Sequence, residues 1–160
     1  MKQLLFSTGS DWTGLVLRLC LGLIMLPHGG QKLFGWFGGF GFEASVEYLV
    51  GTIGLPWIFA VAVVLGEFLG PVGLILGLAS RFWAAALALI MAGAIFTVNL
   101  QYGFFMNWFG NQQGEGYEFH LLMIGISLAV ILNGSGRYSM DGLFNAAARS
   151  PSTFSATPIS

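Results

Sequence analysis

The sequence predicts an all-α integral membrane protein, a four-helix bundle with a short interfacial helix in its first outer loop. Three observations predict it. Only 8% of the 160 residues are charged and 56% are hydrophobic, with a mean hydropathy of +0.78, whereas a soluble domain carries about 25% charged residues. The apolar residues gather in four runs, three of them long enough for the roughly 20-residue helix that spans a bilayer core. The runs lack the alternation of a membrane barrel, and backbone groups in lipid must pair within their own segment, so the spans are helices. A net charge of -1 without a basic tract excludes nucleic acid as a partner. A single cysteine, Cys20, excludes an intramolecular disulfide or a cysteine-based metal site, and in its apolar run it reads as a buried small hydrophobe.

The first run covers residues 12–33 and holds Arg18, His28 and Lys32. Lys2 is a weak positive flank and no small-residue cleavage site follows, so the run reads as a retained helix, not a signal peptide. An aromatic, glycine-rich loop, Gly35 to Phe42, comes next. Over 42–53, Val46, Leu49, Val50 and Ile53 oppose Glu43 and Glu47 at helical spacing, which predicts the interfacial helix. The second run, 56–79, carries one charge, Glu67. Its Gly66, Gly70, Gly73 and Gly77 form a smooth stripe for close helix approach, which could serve a second copy of the chain. Pro71 is expected to bend it. The third run, 82–101, has no charge, and a second aromatic loop, Tyr102 to Gly110, follows. The fourth, 117–132, is short and opens on Glu118 and His120. Asp141 reads as the cap of a short surface helix, and Glu115 and Arg137 as solvated loop charges.

The division is then a cytoplasmic N-terminus at 1–11, a membrane domain at 12–144 and a flexible polar tail at 145–160. Lys2, Arg81, Arg137 and Arg149 fall on one side of a four-span chain, and Glu43, Glu47 and Glu115 on the other. Positive charge marks the cytoplasmic face, so both termini are placed in the cytoplasm.

Ionisable residues within a membrane are costly and mark candidate sites. At 1.5 Å per residue, Arg18 lies about 9 Å from the cytoplasmic edge, Glu67 about 18 Å, and His28 and Asn99 roughly 24 and 25 Å. His28, Lys32, Glu67, Asn99, Glu118 and His120 thus share the outer half. Side chains lean toward a helix N-terminus, so His28 and Glu67 lean toward each other, and His28 is preferred to Arg18 as the partner of Glu67. A buried carboxylate beside an imidazole or ammonium can relay protons. Beneath aromatic loops it suits a quinone-like ring, held by Trp36, Phe37, Phe104 and Phe105. The same residues could equally form a polar network that fixes helix register, and the aromatic loops an interfacial belt. No metal is expected: His28, Glu67, Glu118 and His120 lack a ligand-spacing motif.

Leu17-Arg18-Leu19, His28-Gly29-Gly30-Gln31-Lys32-Leu33-Phe34-Gly35, Gly66-Glu67-Phe68, Ser80-Arg81, Gly103-Phe104-Phe105, Gly116-Tyr117-Glu118 and Tyr138-Ser139-Met140-Asp141 occur in that order. This set resembles the DoxX family of small four-helix bacterial membrane proteins, over residues 12–144. The resemblance implies the bacterial inner membrane, a link to quinone oxidoreduction or redox stress, and functional weight on Arg18, His28, Lys32, Glu67, Arg81 and Glu118. Asn99 departs from the family, where many relatives have His, and cannot carry a proton. With no redox-centre motif in the chain, a redox partner subunit is implied. A non-enzymatic carrier for a small apolar or anionic molecule, or an assembly scaffold, are the alternative functions.

Overall fold

The structure, a computed structural model, describes residues 11–149. Lys2 and residues 150–160 lie outside the described residues, and with them most of the expected tail. Six α-helices and no strand occur among the described residues. Helix α1 (Trp12–Phe34) is followed by a 3-10 turn (Trp36–Gly38) and α2 (Gly41–Gly51). Then come α3 (Trp57–Leu76), α4 (Ser80–Ala94), α5 (Glu118–Asn133) and α6 (Met140–Arg149). Helix α4 runs on through a π turn (Ile95–Asn99) and a 3-10 turn (Leu100–Tyr102). Three of these segments, Trp12–Phe34, Trp57–Leu76 and Ser80–Tyr102, are long and apolar enough to cross a membrane, and α5 is a shorter apolar helix.

The helices start and stop where the chemistry allows. Asp11 caps α1 by accepting from the Gly14 N–H, and Gly35 ends it at φ 74, a left-handed conformation that costs glycine little. Pro27 does not break α1 and Pro71 does not break α3; packed helices offer other partners to the groups a proline frees. The boundary expected after residue 144 falls inside α6. Ser139 Oγ accepts from the Gly142 N–H at its start, and the run Ala146 to Ala148 favours helix.

Helix α1 packs on α3 and α5, and α4 packs on the same two, which closes a four-membered ring. The core is Leu21, Met25, Leu74, Ala84, Leu87, Met91, Met123 and Val130, all at most 4% exposed. A smaller cluster joins Val46 of α2 to Ala60 and Val64 of α3. Glu43 and Glu47 face away from it, as expected, but Val50 is exposed and Ile53 lies beyond the helix.

Two expectations change at this level. The glycine stripe of α3 is filled by its own chain. A Cβ on Gly73 would sit 2.3 Å from Trp83 Nε1, and one on Gly70 3.4 Å from Leu87 Cγ, while Gly77 is the left-handed C-cap. The surface expected to receive a second copy is therefore the seat of α4. Cys20 is exposed rather than buried, because it lies off the α1 stripe that meets α3 and α5.

Candidate functional site

Along α1 the core-facing residues Arg18, Leu21 and Met25 are buried, but His28, next on the same stripe, is exposed. Toward the aromatic loops the inner stripes turn polar: His28 and Lys32 on α1, Glu67 on α3, Asn99 at the end of α4 and His120 on α5.

Glu67 is the centre. Its side chain is 3% exposed, and Lys32 Nζ reaches both carboxylate oxygens, at 2.7 and 2.6 Å. Lysine, not the expected histidine, is its partner. Lys32 sits one turn beyond His28, and its four-carbon stem leans back toward the α1 N-terminus until it meets the carboxylate. The His28 ring is turned to Phe119, with centroids 5.6 Å apart. The level of the pair is set by Gly29, where a Cβ would lie 2.1 Å from the Glu67 carbonyl oxygen. Backbone thus rests on backbone, and Glu67 stands level with Gly29, higher than the rise along α3 alone suggests. The two imidazoles bracket the Phe119 ring, His28 at 5.6 Å and His120 at 5.8 Å between centroids. His120 Nδ1 is buried without a hydrogen-bond partner.

Aromatic rings flank the pair on one side. Trp36 stacks on Phe34 at 5.4 Å and meets Phe68, the neighbour of Glu67, edge-on at 5.8 Å. A Cβ on Gly30 would strike the Trp36 ring at 2.1 Å, so that glycine seats the tryptophan. Phe37 is 79% exposed with φ 51. Phe104 touches Phe105 and Tyr117 in the other loop. Asn99 and Glu118 shape that loop: Asn99 Nδ2 donates to the Glu115 carbonyl at 2.9 Å, and Glu118 accepts from the Met106 N–H at 3.3 Å.

With this geometry in view, comparison with known proteins is direct. Residues 14–100, more than half of the chain, match the DoxX family model. The chain belongs to the DoxX family. It is 32% identical over 127 residues to “Putative oxidoreductase CatD” of Bacillus subtilis (strain 168), a match covering 79% of this chain and 83% of that protein. No solved structure matches it.

In this DoxX-family membrane protein, Arg18 stands apart from the cluster. It is 1% exposed, at the opposite end of the bundle. Its Nε donates to the Ser135 carbonyl, Nη1 to those of Leu74 and Ile75, and Nη2 to those of Arg137 and Tyr138, over 2.5–3.1 Å. A guanidinium has five donors, and all five are used on backbone. Two of the acceptors are last-turn carbonyls of α3, where a cation also meets the negative end of the helix dipole. Asp141 does the converse. Its carboxylate accepts from the N–H groups of Ala79 (2.7 Å) and Ser80 (3.2 Å) at the start of α4, and from the Ser135 hydroxyl. Expected as the cap of its own surface helix, Asp141 is 1% exposed and caps another. Arg137 is exposed, as expected, and its guanidinium lies over the Trp12 ring at 4.9 Å. Its neighbours Gly134 and Gly136 meet Gly14 so closely that a Cβ there would lie 2.7–2.9 Å from their backbone.

The family's motifs therefore divide by end. The arginine end of this DoxX protein is a closed clasp with its polar groups spent on backbone. The loop end holds the ion pair and the two imidazoles.

Proposed function

We propose that this protein is the membrane component of an oxidoreductase system that handles a quinone-type ring, with its polar site at the loop end. The observation that carries the reading is the buried Glu67 carboxylate, paired with Lys32 and hydrogen-bonded to it through Oε1, at the loop end of the bundle where His28 and His120 also lie. Membership of the DoxX family and a relative with an oxidoreductase's name support it. Reducing a quinone takes two electrons and two protons. A partner subunit supplies the electrons. Lys32 and the imidazoles are positioned to polarise a ring carbonyl and pass protons to it, and Glu67 holds the Lys32 side chain in place. The aromatic rings of Trp36, Phe37, Phe104 and Phe105 give the ring a flat apolar contact. The clasp end carries Arg81 and Arg137, so it faces the cytoplasm of a bacterial inner membrane and the site faces outward.

Menadione titrated into the detergent-solubilised protein tests this, because a quinone quenches nearby tryptophan fluorescence. Saturable quenching is expected, reduced in Trp36→Phe and weakened about tenfold or more, some 1.4 kcal/mol, in Lys32→Met. Quenching that does not saturate, or that Lys32→Met leaves unchanged, refutes the quinone site. Uptake of a small anion into vesicles without a redox partner would point instead to a carrier.

A further inference from the structure

At the clasp end a cation and two aromatic rings meet on the surface. The Arg137 guanidinium lies over the Trp12 ring at 4.9 Å and over the Tyr138 ring at 5.8 Å, and the two ring centroids are 6.0 Å apart. All three residues are exposed, Trp12 at 57% and Tyr138 at 75%. Backbone contacts fix their places. The Arg137 N–H donates to the Asp11 carbonyl at 3.1 Å, and the Arg137 and Tyr138 carbonyls accept from Arg18 Nη2. Tyr138 is held at φ 50, a left-handed conformation that costs a non-glycine residue free energy. Neither nearby acid pairs with Arg137. The Asp11 carboxylate accepts from the Gly14 N–H, and that of Asp141 is spent on Ala79, Ser80 and Ser135. The ion pair among the described residues is Lys32–Glu67, at the other end. Arg137 thus has cation–π contacts, and its guanidinium N–H groups find no acceptor among the described residues.

The cluster stands at the edge of the apolar span. Trp12 opens the α1 segment, which is long and apolar enough to cross a membrane. A Cβ on Gly136 would lie 2.6–2.9 Å from the backbone of Leu15, Asp11 and Gly14, so Arg137 is level with the first turn of α1. Just beyond, α6 is anchored by the buried Asp141 and leaves Leu143 and Phe144 exposed. A helix with its carboxylate turned into the protein and its apolar residues outward suits the plane of the membrane interface. Tryptophan and tyrosine are likewise favoured at the headgroup level. We propose that Arg137, set against Trp12 and Tyr138, binds the phosphate of an anionic phospholipid. A guanidinium can rest on an aromatic ring and still present its N–H fork to two phosphate oxygens. An unneutralised cation at the headgroup level also favours a lipid of net negative charge over a zwitterionic one, whose ammonium it repels. The proposal uses the clasp end and is independent of the quinone reading.

The test is native mass spectrometry of the full-length, detergent-solubilised protein titrated with phosphatidylglycerol or with phosphatidylcholine. Phosphatidylglycerol is expected to bind at least about tenfold more tightly, and Arg137→Gln should remove that preference, since hydrogen bonds to a charged group are worth about tenfold or more in affinity. Arg137 joins the clasp through its backbone, which the substitution keeps, so the variant should fold as the parent does. Arg81→Gln removes the same charge from the same end and should leave the preference in place. No preference in the parent protein, or a preference retained in Arg137→Gln, overturns the site. An equal loss in Arg81→Gln also overturns it, because attraction is then diffuse. Displacement of the lipid by millimolar glycerol phosphate would assign the cluster to a soluble phosphate and overturn the lipid. The parent protein's own selectivity decides the matter even if Arg137→Gln fails to fold.

Discussion

Replacing Arg18 with lysine separates the two roles the sequence allowed for this residue. The charge remains, but five donors become three. At least two of the carbonyls of Leu74, Ile75, Ser135, Arg137 and Tyr138 must then lose their partner. A buried polar group left unpaired costs about 1–3 kcal/mol, so the loss is roughly 2–6 kcal/mol. For a chain of this size each kcal/mol moves the melting temperature by about 2–4 °C, which gives a drop of roughly 5–20 °C in detergent. Thermal unfolding followed by size-exclusion chromatography reads it. Menadione quenching below the transition should be unchanged, because the loop-end pair does not touch the clasp. A melting temperature within about 2 °C of the parent would refute the accounting of donors. Normal stability with lost menadione binding would return Arg18 to the ligand site.

Two further outcomes follow from the α1–α3 contact. Gly29→Ala puts a methyl 2.1 Å from the Glu67 carbonyl oxygen, so the helices must part by more than about 1 Å; overpacking costs about 1–3 kcal/mol, read as a lowered melting temperature, while Gly51→Ala, with nothing within 4 Å, is the neutral control. Lys32→Met should destabilise more than Glu67→Leu, since it strands a carboxylate that is 3% exposed, whereas Lys32, at 41% exposure, can turn to solvent; an uncompensated buried charge costs about 3–5 kcal/mol, and the double variant should recover most of it. Equal single effects, or an additive double, would contradict the asymmetry.

Much of this was legible in the sequence. The four apolar runs and the α2 amphipathic pattern agree with the helices to within about two or three residues at most ends, because both follow from hydrophobic periodicity. The gathering of His28, Lys32, Glu67 and His120 followed from depth alone. Choosing the partner of Glu67 did not, because rise per residue ignores how far a side chain reaches and how closely two backbones approach. Gly29 and Gly30 fix both, and a glycine's part in a contact shows only once its neighbour is known. Asp141 and Arg18 were hidden for a different reason. Their partners are backbone groups 56 to 120 residues away in sequence, and a backbone carbonyl leaves no mark in the sequence.

The clasp also imposes an order on biosynthesis. Arg18 emerges in the first helix, but its last acceptor, Tyr138, is 120 residues later. At about 5–20 residues per second, the ribosome needs roughly 6–24 seconds to make that stretch. Through that interval the first helix carries a charged group whose native acceptors are at most partly made, the Leu74 and Ile75 carbonyls first, and its long side chain must snorkel to the membrane surface. The arginine can be drawn inward only after the fourth apolar helix has entered and residues 135–141 have followed. The residue that seals the bundle is therefore among the first made and the last to be satisfied, and a chain truncated before Ser135 leaves three of its five donors without their native acceptors.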